Sequence, residues 1–177
     1  MAGGPDGAEI LWLNLGVETA AGDLLARNGA GHKMGDCPPE EWGDFCMVQI
    51  HRLERAGFFP LVSLVLGMPG ETPEHVRRTL RWVEQLQGRR AAVFPVFYAP
   101  VNGRDDAFGH DDMTELHWKL FRTCYHLNFR WVPRICWDNQ SQAGVGLPRR
   151  LAMQAMTRAG KFWWKSLFIW RSGRLFA

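Results

Sequence analysis

Three nearly continuous apolar runs of strand length punctuate the chain, at Ile10–Val17 (ILWLNLGV), Leu61–Leu66 (LVSLVL) and Ala92–Ala99 (AVFPVFYA). Unbroken runs, as opposed to alternating ones, are the pattern of a parallel sheet covered on both faces. Each run is followed by residues at helical spacing. Between Pro38 and Ala56, the residues Cys46, Ile50 and Leu53 share a helical face, and Gly57 can supply a left-handed stop. Between Pro73 and Gln87, Val76, Leu80 and Val83 repeat that spacing, with Thr72 as N-cap and Pro73 at the first helical position. A third helix starts near Thr114, where Leu116, Leu120 and Leu127 line one side and Asp111 and Asp112 precede its positive end. The order strand–helix, three times over, predicts an α/β fold with right-handed crossovers. Pro95 cannot donate to a ladder and assigns the third strand to an edge. The first strand reads as an interior strand whose other neighbour is missing.

Length changes this picture by setting a limit: 177 residues make one domain or part of one, short of a full eight-unit barrel. The composition, 46% hydrophobic and 22% charged, is globular, and no apolar run reaches the roughly 20 residues that span a bilayer. The opening MAGGPDGAEI has no basic segment followed by an apolar one, so the expected setting is the reducing cytoplasm and the cysteines are expected to be thiols. Cys37, Cys46, Cys124 and Cys136 lack the short paired spacings of zinc or iron–sulfur loops, so none is assigned to a metal. Cys37 precedes a helix whose dipole can acidify it, but an incidental thiol is the expected reading. The net charge of +3 is unevenly spread. After Asp138 no acidic residue follows, whereas Arg149, Arg150, Arg158, Lys161, Lys165, Arg171 and Arg174 do.

In α/β sheets ligands gather at the carboxyl ends of strands, where glycines admit close approach and helix N-termini present free amides. The first strand ends in LNLGVETA, with Glu18 and Thr19 at its edge, and the second in GMPGETP, with Gly67, Gly70, Glu71 and Thr72. Two readings are open at these junctions. One is a turn at Pro69–Gly70, a cap at Thr72 and solvated acids at Glu18 and Glu71; the other is a ledge for a small ligand.

The succession GVETA, LVLGMPGETPEHV and VFYAPV resembles the second half of the radical S-adenosylmethionine (radical SAM) core, in particular its cobalamin-associated and archaeal-type branches. The resemblance covers about Leu11 to Val101. It implies a partial β/α barrel of six units, of which this chain would contribute the last three, residues 1–108. A helix with its connecting loop (109–147) and a basic aromatic helical tail (148–177) would follow. The resemblance also implies roles. Glu18, and with it Thr19, would meet the ribose or amino-acid part of S-adenosylmethionine, and Asn14 would face the same cavity. Val65, Leu66 and Gly67 would lie against the adenine, with backbone at Phe97 and Tyr98 along its edge; Glu71 would hold the loop. The family's C-x3-C-x2-C loop, which holds a [4Fe–4S] cluster, is absent. The chain is therefore expected to be the C-terminal portion of a longer enzyme, inactive alone, with the missing half of the barrel as partner; the use of cobalamin, which would bind outside this chain, is left open.

Several residues carry weaker signals. His117 and Cys124 are seven apart and can share a helical face, whereas His126 points elsewhere; packing is the expected role, with an auxiliary metal site as the alternative. GHKMGD, which holds His32–Asp36, is expected to be a solvated loop, with a substrate-facing role as the alternative. The tail interleaves basic residues with Phe162, Trp163, Trp164, Phe168, Ile169, Trp170 and Phe176, as helices in a membrane interface do. A helix packed on the domain is an equal reading; nucleic-acid binding is a minor one. Two functions are carried forward. One is the C-terminal portion of a radical SAM enzyme acting on an apolar or lipid-like substrate. The other is a non-catalytic α/β unit that binds a partner or a membrane surface through its tail.

Overall fold

The computed structural model describes residues 11–100 and 107–171, the last five of these as backbone only. Ile10, Val101, Arg174 and Phe176, and the side chains of Phe168, Ile169 and Trp170, lie outside the described residues. The architecture is α/β: a three-stranded parallel sheet in the order β1–β2–β3, with helices between and after the strands. The strands are β1 (Leu11–Glu18), β2 (Phe58–Leu66) and β3 (Ala92–Phe97). A short α1 (Gly22–Leu25) and an irregular turn lead to α2 (Trp42–Arg55); α3 (Pro73–Glu84) joins β2 to β3, and α4 (Glu115–Gln142) and α5 (Leu147–Arg171) follow.

The local signals act as their chemistry dictates. Thr72 caps α3 with Pro73 at its first position, and Gly57 takes φ 89° after α2. Pro95 stands on β3, an edge of the sheet. The second strand begins earlier than its apolar run, at Phe58, because Phe58, Phe59 and Pro60 pair with Leu11, Trp12 and Leu13 of β1. The predicted helix from Pro38 starts later: Pro39–Glu41 forms a tighter single turn before α2. The fourth helix runs through Pro133 to Gln142, and the carbonyl of Pro133 accepts a bond from Gln154 of α5.

Cover along the full length of the strands comes to one face of the sheet only. Val62, Leu64, Leu66 and Val93 pack into the main core with Ile50 of α2, Val76, Leu80 and Val83 of α3, and Leu120 and Cys124 of α4. Full burial of aliphatic side chains of this size contributes about 1.5–3 kcal/mol each. On the opposite face, where Trp12, Asn14, Gly16, Leu61, Ser63, Val65, Phe94 and Val96 fall by register and alternation, cover is limited to the two ends. At the start of the strands Trp131 and Ile135 pack on Phe59 and Ala92. At their carboxyl ends Val65 and Tyr98 pack on Ala21, Leu24 and Met68. Between these, Trp12, Phe94 and Val96 remain 40%, 43% and 47% exposed. The expectation of full cover on both faces is thus corrected: α2, α3 and the first half of α4 line one side, and only the second half of α4 and the residues around α1 reach the ends of the other.

The outer edge of β3 is closed by a side chain. Asn128 of α4 accepts from the Val93 amide (2.7 Å) and donates to the Val93 carbonyl (2.6 Å), as a neighbouring strand would. Asn128→Ala leaves both backbone groups buried and unpaired and is expected to lower stability by about 2 kcal/mol, read as a shift of the denaturant midpoint.

Candidate functional site

The three strands end together, and each junction is built differently. At the end of β1 the register slips between Gly16 and Glu18, and Glu18 adopts a left-handed backbone with φ 63°. A side chain in that region carries strain of about 1–3 kcal/mol that its surroundings must hold in place. Here the holding group is Lys33, whose Nζ lies 2.5 Å from Glu18 Oε1. The pair folds back over Gly16: a Cβ there would stand 2.6 Å from Glu18 Oε1 and 3.2 Å from Lys33 Nζ. A carboxylate and an ammonium are thereby placed at the upper rim of the uncovered sheet face, in line with Asn14 on the same strand.

The next residue turns the other way. Thr19 is buried, its hydroxyl 3.0 Å from that of Thr79 and accepting from the Ala21 amide, its carbonyl accepting from Trp42 Nε1 at 2.9 Å. It ties β1 to α2 and α3.

At the end of β2, Gly67 has φ 75° and donates its amide to Glu71 Oε2 at 2.9 Å. The ring of Phe108 covers it so closely that a Cβ would lie 1.9 Å from the ring, so no larger residue fits. Phe108 belongs to an aromatic cluster with Phe97, His110 and His117 on the helix side. Of the residues that the resemblance singled out, Asn14, Glu18 and Val65 therefore share the uncovered face. Leu66 and Phe97 point into the helix side, where they offer only backbone, and the Tyr98 amide donates to the Leu66 carbonyl at 2.9 Å.

Two histidine–carboxylate clasps tie successive units together. In each, a threonine at the helix start donates its backbone amide to Nδ1 of the histidine three residues on: Thr72 to His75 and Thr114 to His117, both at 3.1 Å. An Nδ1 that accepts assigns the proton of a neutral ring to Nε2. From Nε2, His75 reaches Asp23 Oδ2 (3.0 Å) and His117 reaches Glu71 Oε2 (2.8 Å). Each helix start is thus bound to an acid of the preceding β/α junction. Glu71 serves both the Gly67 amide and His117, in keeping with the loop-holding role expected of it. For Asp23, burial raises the carboxyl, but the hydrogen bond and electrostatic pull of His75 together with the Arg27 guanidinium outweigh it and hold it below the usual range.

Lys33, Phe108, Asp23, His75 and His117 were not foreseen as partners of these junctions. The sequence did hold one signal, T-x-x-H twice, in TPEH and TELH: the spacing of a capping box with histidine in place of the acid.

The cysteines offer little as ligands. All four are free thiols; burial raises Cys46 to about 12 and raises Cys124 further. Cys37 is also raised, by partial desolvation and then by Glu41 and Glu40, opposite to what a helix dipole alone would do. His117 and Cys124 share the buried face of α4 and His126 points to solvent, as their spacing predicted. Among the described residues, no three His, Cys, Asp or Glu side chains converge as a metal site would need, and no helix is long and apolar enough to cross a membrane. Compared with models of protein families, with curated proteins and with solved structures, the chain matches none.

Glu71→Ala would leave the Gly67 amide and His117 Nε2 unpaired and is expected to cost about 1–3 kcal/mol, measured by chemical denaturation. The lowered carboxyl of Asp23 means that its ionised form stabilises the fold. That contribution is present above the ordinary carboxylate range and fades as pH falls through the lowered value, so below about pH 4 the wild type should lose stability faster than Asp23→Asn. Thermal unfolding across that range reads the difference.

Proposed function

We propose that this chain is the C-terminal portion of a radical SAM enzyme, its three β/α units forming half of a partial barrel that binds S-adenosylmethionine. The observation that carries the reading is a parallel sheet helix-covered on one face, with a carboxylate–ammonium pair, Glu18–Lys33, at the carboxyl rim of the other. A barrel wall has that asymmetry, since its helices lie outside and its inner face looks onto a cavity. Apolar strand residues left bare on the inner side, Trp12, Phe94 and Val96, would be covered by the other half of the barrel and by substrate. Their character favours an apolar or lipid-like substrate.

In this reading Glu18 meets the cationic end of S-adenosylmethionine, Lys33 its carboxylate, and Asn14 a ribose or amino-acid group. The adenine lies on the open side of the Val65–Gly67 backbone and by Tyr98, since Phe108 occupies the helix side of Gly67. Thr19 acts by fixing the turn that presents Glu18. The cysteines do not form a ligand set for a [4Fe–4S] cluster, so the proposal assigns that cluster to residues outside this chain, and any cobalamin likewise. The cluster, where bound, supplies the electron that cleaves S-adenosylmethionine.

Isothermal titration of this chain with S-adenosylmethionine tests the site. Weak binding is expected, and Glu18→Gln should weaken it about tenfold through loss of a charge-assisted hydrogen bond. No binding, or binding that Glu18→Gln leaves unchanged, would remove the assignment.

A second reading has its own observation: on α5, Phe162 and Trp163 are 71% and 72% exposed among basic residues. In that reading the chain attaches to a membrane surface through α5, with or without catalysis.

A further inference from the structure

Four cations gather away from the strand ends, in a cavity of about 500 Å³ between α4 and α5, closed at one side by the end of α3. Lys119 and Arg122 enter it from α4, Lys161 and Lys165 from α5, and Glu84 is its one acid. Among the described residues, Lys119, Lys161 and Lys165 have no ion-pair partner. Like charges gathered in a concave, partly apolar space repel one another, and the space focuses their field on an anion of matching size. Tyr125 and Phe129 give the cavity its apolar wall, and His126 adds a further donor.

The register of α5 ties this cavity to the exposed aromatic ridge. Lys161 and Lys165 are one turn apart on the inner face, where Trp164 packs on Tyr125 with ring centroids 5.4 Å apart. Phe162 and Trp163 consequently point outward. A phosphate that carries its own apolar chains would use both features, the cations for the headgroup and the ridge for the chains; a free phosphate would use only the first. From this we infer that the cavity between α4 and α5 binds the phosphate headgroup of an acidic phospholipid at a membrane surface. The inference rests on the membrane-surface reading of α5 and adds a specific headgroup site to it.

Co-sedimentation of the full chain with vesicles, of phosphatidylcholine alone or with phosphatidic acid, tests it against variants matched in charge. Lys119→Gln/Lys165→Gln removes two cations from the cavity, and Arg149→Gln/Arg158→Gln removes two from outside it. Binding is expected to require phosphatidic acid, and the cavity pair should weaken it about tenfold more than the outside pair. Lys119→Arg/Lys165→Arg should retain binding, and circular dichroism should show the helices of each variant intact. Equal weakening by the two pairs would overturn the site in favour of diffuse attraction. Equal binding to both vesicles would also overturn it while leaving the ridge as a membrane anchor, and failure to bind either would remove the membrane reading as well. Tighter binding to single-stranded DNA than to acidic vesicles would equally overturn it.

Discussion

A sheet packed by helices along its whole length on one side, and only at its two ends on the other, has a dry face and a wetter one, and most of what distinguishes this chain follows from that constraint. The dry face supplies the cohesion: Val62, Leu64 and Leu66 of the central strand meet three helices at once, and Leu64 is fully buried. The wet face carries no such obligation, so its residues are released from packing. A polar residue such as Asn14 can stand in the middle of an otherwise apolar strand there. The same freedom leaves room at the rim for the Glu18–Lys33 pair.

The parts of the fold that were legible in the sequence are those governed by near neighbours. Thr72 and Pro73 start a helix, Gly57 stops one and Pro95 stands at an edge through constraints that span only a few residues. The sidedness of the sheet was not legible in this way. An apolar run reads the same whether its second face is covered by helices of the same chain or left bare, since hydrophobicity says that cover is favourable and not who provides it. Pro133 lies inside α4 without ending it. A long helix packed on β3 at one end and on α5 at the other tolerates the loss of one internal bond.

The candidate site divides along the same line. Glu18 was visible because of where it falls after an apolar run, and Glu71 because it precedes a cap. Their partners, Lys33 and His117, are separated from them by a loop and by a whole β/α unit, so only the folded chain brings them together. Histidine three residues after a capping threonine is chemically equivalent to the expected acid at one end, where it accepts the threonine amide. It differs at the other end, where Nε2–H can reach a second acid. That second hydrogen bond turns a local cap into a joint between neighbouring units, and it explains why the motif occurs twice at corresponding places.

The asparagine that pairs with Val93 gives the sheet a direction. An incoming strand at the β3 edge would first have to displace a side-chain amide that already makes both backbone hydrogen bonds there. At the β1 edge no described residue competes for the ladder. Any enlargement of this sheet, whether by another segment, another chain or an unwanted aggregate, is therefore polarised: it grows outward from β1 and is terminated at β3.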